Sequence, residues 1–165
     1  MPGERPIDFA ERMAREKATT AFEQIQKDYP QPTKSALRGS PIVLGADTIV
    51  VVEDEVLGKP EDADDAARML RLLSGRKHSV TTAVCLKTDG FEDLQSETTT
   101  VQFLELSDSD ITGYVASGEP MDKAGAYAIQ GMASRWISKI EGDYNNVVGL
   151  PVNLVKQMLR EHGLA

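Results

Sequence analysis

Ile42-Val43-Leu44-Gly45-Ala46-Asp47-Thr48-Ile49-Val50-Val51-Val52 is the stretch that decides the fold. Its apolar, β-branched composition predicts a buried strand, because such side chains pack well on a pleated surface. A carboxylate interrupts it. Asp47 loses hydration there unless a cation, a metal or backbone donors compensate. Two readings stand side by side: an aspartate satisfied by a turn, or a functional group that ligates a hard divalent metal or orients a water.

Glu53-Asp54-Glu55 reads as a turn and Val56-Leu57-Gly58-Lys59-Pro60 as a hairpin arm returning to the same neighbourhood, which lets Lys59 approach Asp47. Pro60 fixes the backbone after Lys59, whose amine can then reach a phosphate or carboxylate; an ordinary exposed turn lysine is the plainer alternative. Upstream, Phe9, Ala10, Met13, Ala14, Ala18, Ala21, Phe22 and Ile25 recur at helical spacing and predict an amphipathic helix over 8–26, with Asp8 and Glu11 as a capping-box-like start. Lys17 falls between Met13 and Ala21 inside that apolar stripe. It is therefore expected to aim inward, where it must snorkel out or find an anion. Tyr29-Pro30-Gln31-Pro32-Thr33-Lys34 through Ser40-Pro41 reads as a surface loop.

Downstream, Glu61 to Leu73 predicts a helix with an acidic, solvated start and Gly75 as its stop. Ser79 to Leu86 alternates, with Val80, Val84 and Leu86 on one side. It then turns at Thr88-Asp89-Gly90 into a second β stretch ending at Phe103. Ser107 with Asp110 starts a short helix through Ile111, Tyr114 and Val115, closed by Gly118. Glu119 to Gly131 fits neither period and reads as a binding loop. Within it, Lys123 beside Asp122 reads as a surface ion pair, and Gln130 could meet a base edge or simply backbone. Trp136 to Ile140 resembles a strand, Gly142 to Pro151 a loop, and Pro151 opens a last helix through Glu161. His78 and His162 lack the neighbours that zinc needs and read as surface residues. Cys85 reads as an inert core thiol.

The chain of 165 residues, 18 Lys+Arg against 26 Asp+Glu, net −8 and 41% hydrophobic, is expected to be one globular domain over 1–165. No apolar run approaches the ~18 residues of a bilayer span, and the first residues resemble no signal peptide, so no membrane partner is expected. An acidic chain also lacks the basic face that nucleic acid requires, so an anionic ligand must be met by a few local cations. The single cysteine suits a reducing compartment, most simply the cytoplasm.

Leu44-Gly45-Ala46-Asp47-Thr48, Gly58-Lys59-Pro60, Leu73-Ser74-Gly75-Arg76, the run from Asp122 to Gly131, and Val147-Val148-Gly149-Leu150-Pro151 together resemble the Maf family of nucleoside triphosphate pyrophosphatases, in order and spacing across nearly the whole chain. The resemblance implies an α/β fold similar to inosine triphosphate pyrophosphatases, a mixed β-sheet with flanking helices and a nucleotide cleft between two lobes. The Asp-Lys-Ala-Gly-Ala-Tyr form is similar to the subgroup acting on dTTP and UTP. It implies hydrolysis to the nucleoside monophosphate and pyrophosphate by a water activated on a divalent cation, magnesium or manganese. Carried over by position, Asp47 and Lys59 are the catalytic residues and Asp47 the metal ligand, with Lys17, Thr48, Lys123 and Gln130 on the substrate. The family's Ser-x-Ser-Pro-Arg-Arg loop is not in this sequence, which implies a chain truncated at its N-terminus. For that reason a catalytically impaired nucleotide-binding or regulatory protein of the same fold is the alternative. Assembly as a homodimer stays open.

Overall fold

The structure is a computed structural model that describes residues 4–28 and 41–164. The proline-rich stretch from Tyr29 to Ser40, expected to be a surface loop, lies outside the described residues.

In chain order the elements are helix α1 (Pro6–Asp28), strands β1 (Val43–Val52) and β2 (Glu55–Leu57), helix α2 (Ala63–Leu73), strands β3 (Lys77–Lys87) and β4 (Glu92–Phe103), helix α3 (Asp108–Ala116), three 3-10 turns (Glu119–Asp122, Ala124–Ala126 and Met132–Trp136), strand β5 (Ile137–Glu141), helix α4 (Tyr144–Val148) and helix α5 (Val152–Glu161). The strands form one sheet in the order β2-β1-β3-β4-β5, with β1–β2 and β4–β5 antiparallel and β3 turning straight back into β4. This is the α/β class with flanking helices that the sequence predicts.

Helix ends follow local chemistry. Asp62 caps α2 by accepting the Asp65 backbone N–H at 2.8 Å, and Ser107 and Asp110 form a complete capping box at α3. The segment 119–131, which fits neither regular period, resolves into short 3-10 turns.

Two compact units divide the chain. The first takes residues 4–28, 41–47, 83–96 and 152–164, and the second residues 48–82 and 97–151. In the first, Val84 and Leu86 of β3 bury with Met158 of α5, while α1 buries Ala10, Ala14, Ala18 and Phe22. In the second, Val50, Val52 and Leu57 pack with Leu70 and Leu73 of α2, Val101 and Phe103 of β4, Tyr114 of α3 and Trp136.

Several sequence expectations need correction. The strand β3 is buried on both faces, Thr81, Thr82 and Ala83 included, because it is the central strand of five and has no solvent side, while Cys85 is the core thiol expected. His78 is 3% exposed, not a surface residue: its ring lies edge-on to Phe103 and Tyr127, and Nε2 is 2.9 Å from the Tyr127 hydroxyl. The 142–151 segment is not a plain loop but contains α4, capped by Asp143, and it buries Asn146 completely.

Candidate active site

Asp47 is positioned by a close helix–strand contact in the first unit. The buried row of α1 is Ala10, Ala14, Ala18 and Phe22, and its three alanines let the helix backbone approach β1. At the contact point β1 has Gly45. A Cβ there would run into the Ala14 carbonyl oxygen and lie 2.6 Å from the Ala18 nitrogen, so no larger residue fits. One helical turn past Ala14, Lys17 then reaches across: its ammonium donates to Asp47 Oδ1 at 2.6 Å and to the Ala46 carbonyl at 3.2 Å. Lys17 does find an anion, but it is not sunk in the core. Its side chain is 52% exposed whereas that of Asp47 is 16% exposed, so the long stem lies over the edge of the contact. Oδ2 of Asp47 has no protein donor among the described residues.

Thr48 belongs to a polar network in the second unit. Its hydroxyl lies 2.9 Å from that of Thr82 and 3.5 Å from the Gly149 carbonyl. Thr82 donates to the Asn146 carbonyl, and the Asn146 side-chain amide donates to the Val80 carbonyl and to Thr99 Oγ1. The Thr48 hydroxyl is therefore turned inward, tying β1 to the α4 segment.

The Gly58-Lys59-Pro60 turn is held by the Gly125 N–H, which donates to the Gly58 carbonyl at 2.9 Å. That bond brings the turn beside Asp122 and Lys123. The Lys123 ammonium, 2.8 Å from Asp122, holds that carboxyl below its usual range, with a smaller attraction from Lys59. Two cations thus share one carboxylate at an exposed corner, an arrangement with one positive charge left over for an anion. Gln130 stands exposed at the tip of the next turn, and its amide makes no hydrogen bond among the described residues.

Among the described residues no group of three or more His, Cys, Asp or Glu side chains gathers to hold a metal ion. A closed protein cage of the zinc type is thus not what Asp47 offers. One carboxylate with a free oxygen fits instead a magnesium-like ion, which keeps several waters and takes other ligands from phosphate groups. No helix of the described residues is long and apolar enough to cross a membrane.

The model of the Maf-like protein family matches residues 2–162. The chain belongs to the Maf-like family. It is 50% identical over 162 residues to the dTTP/UTP pyrophosphatase of Koribacter versatilis, covering 98% of this chain and 77% of that protein. It is 48% identical to the dTTP/UTP pyrophosphatase of Shewanella oneidensis over 98% of this chain and 78% of that one, and 47% identical to that of Syntrophomonas wolfei over 98% and 80%. In this Maf-like chain the sequence reading anticipated an anion for Lys17 and the Lys123–Asp122 pair; it sent Lys59 toward Asp47 and did not anticipate its place near Asp122. It did not anticipate the bonds of Tyr114, Glu119 and Asn146, which apart from the local Tyr114–Glu119 contact reach 13 to 66 positions along the chain. The one available signal was the polar string after Gly142, whose residues must bond somewhere if they are buried.

Proposed function

We propose that this chain is a nucleoside triphosphate pyrophosphatase that hydrolyses dTTP and UTP to the nucleoside monophosphate and pyrophosphate. The observation that carries the proposal is the Lys17–Asp47 pair, a mostly shielded carboxylate held by an ammonium with one oxygen left free. The names borne by relatives that align over almost the whole chain support the choice of substrate.

In the reaction, a water oxygen bonds to the α-phosphorus as the bond to the β-bridging oxygen breaks, and pyrophosphate leaves. Asp47, fixed through Oδ1 by Lys17, orients that water with Oδ2 and accepts its proton. Lys17 keeps the carboxylate in place. Lys59 and Lys123 meet phosphate oxygens as compact point charges, and Gln130 takes the nucleoside end. Asp47 would also hold a divalent cation together with phosphate oxygens; such a cation, when bound, neutralises phosphate charge and makes a bound water more acidic. Positioning and charge stabilisation supply most of the acceleration in this chemistry. The Thr48 hydroxyl, already engaged by Thr82, is given the role of anchoring the backbone beside Asp47 rather than a bond to substrate through its side chain.

The test is pyrophosphate release from dTTP and UTP in magnesium, comparing the parent with Asp47→Asn. The variant should lose on the order of a hundredfold or more in kcat. Nucleotide binding by calorimetry without any turnover in the parent would establish the binding protein instead.

A further inference from the structure

We infer that Glu119, acting through Tyr114, is a positioning residue that fixes the turn carrying Gln130 for the base of a pyrimidine nucleotide. The inference rests on the nucleotide-binding reading above and concerns a part of the second unit that reading leaves unexplained.

Glu119 is a carboxylate with a structural task. Oε1 accepts the Tyr114 hydroxyl at 2.8 Å and the Met132 N–H at 3.0 Å, and Oε2 shares that N–H at 3.2 Å. The Tyr114 oxygen in turn accepts the Ala128 N–H at 3.2 Å. Tyr114 is fully buried and edge-on to Trp136, with ring centroids 5.3 Å apart, so its hydroxyl is a fixed point. The two amides held in this way lie on either side of Ile129-Gln130-Gly131. The Gly131 N–H closes the turn onto the Ala128 carbonyl at 3.1 Å, and Ile129 is 6% exposed, an apolar anchor beneath it.

Gly131 completes the clamp by what it lacks. A Cβ at that position would overlap the Glu119 carboxylate, although the Gly131 backbone itself is ordinary extended chain. The glycine is there to let the carboxylate in. The result is a rigid turn whose tip presents a single unengaged amide. That amide offers N–H donors beside a carbonyl acceptor, the pairing needed to meet a carbonyl and the neighbouring N3–H of uracil or thymine. Holding the backbone on both sides means the turn is not ordered at the moment of binding, which improves affinity without touching the reacting atoms.

The experiment uses the full chain with Glu119→Gln and Gly131→Ala, each checked for cooperative melting. Both should speed amide exchange at Ala128 and Met132 and raise the KM for UTP about tenfold while kcat stays within about twofold. Because the three atoms nearest the added methyl all belong to Glu119, Glu119→Ala with Gly131→Ala should be no worse than Glu119→Ala alone. Opened amides with an unchanged KM, a fall in kcat at constant KM, or additive effects in the double variant would overturn the inference. If the parent releases no pyrophosphate, the proposed reaction fails separately. The clamp is then judged by UMP affinity, which must weaken in Glu119→Gln; no UMP binding by the parent overturns both.

Discussion

Replacing Gly45 with alanine tests the contact on which the site is built. The added Cβ would sit 2.6 Å from the Ala18 nitrogen and 2.9 Å from the Ala18 Cβ, where ordinary contact begins near 3.4 Å. Its closest neighbour, the Ala14 carbonyl oxygen, is also backbone, and neither it nor the Ala18 nitrogen can rotate aside. The helix must therefore retreat from β1 by about 1 Å, since a close-packed interior has no slack to absorb the overlap. Overpacking of this kind costs about 1–3 kcal/mol. The same retreat carries Lys17 away from Asp47, whose contact is now 2.6 Å. A misplacement near 1 Å in a catalytic arrangement can cost on the order of a hundredfold in rate. Urea unfolding should thus give a lower midpoint with an unchanged slope, and pyrophosphate release from UTP should show the loss in kcat. A variant within about 0.5 kcal/mol of the parent and equally active would refute the argument that the Ala14–Gly45–Ala18 contact sets the site.

Two further outcomes follow from other parts of the fold. Burial pushes the His78 imidazole down from 6.5 to about 4, so the folded chain keeps it neutral while the unfolded chain protonates it; stability is lost as pH falls from about 6.5 toward 4. At pH 5 this one residue accounts for about 2 kcal/mol, and urea unfolding at pH 7 and pH 5 should show that part of the slope disappear in His78→Gln. Gly113 lies inside α3 with open space where a Cβ would go, so Gly113→Ala should raise the unfolding free energy by about 0.5–1 kcal/mol and leave turnover unchanged.

What could be read from the sequence was whatever a short window contains. The period of α1, the Ser107–Asp110 capping box and the hairpin turn at Thr88-Asp89-Gly90 all depend on residues a few positions apart, and all of them form. Lys17 marks where that reading thins out. The sequence puts Lys17 between Met13 and Ala21 within the apolar stripe, but the face that buries is the row Ala10, Ala14, Ala18 and Phe22, so Lys17 lies at the stripe's edge with its stem free to run along the surface. Its meeting with Asp47, across 30 residues, depends on two backbones coming close. The only trace of that closeness in the sequence is the coincidence of alanines on one element with a glycine on the other.

The residues missed altogether share a cause. His78, Glu119 and Asn146 are polar groups sheltered by partners that no local pattern announces. The Tyr127 hydroxyl stands 49 positions beyond His78, and the Val80 carbonyl 66 positions before Asn146. A polar side chain is excluded from an interior unless its bonds are made, so such a residue reads as exposed until the distant donor or acceptor is known. Glu119 makes the point most sharply. In the sequence it is one acid at the head of an irregular run; in the fold, two backbone amides on either side of Gln130 depend on it, one directly and one through Tyr114. A carboxylate can organise a turn in this way only if the chain leaves room for it, and that room is the missing side chain of Gly131. Glycine next to an exposed amide is therefore the legible half of this device, and the acid that fills the space is the half that only the three-dimensional arrangement supplies.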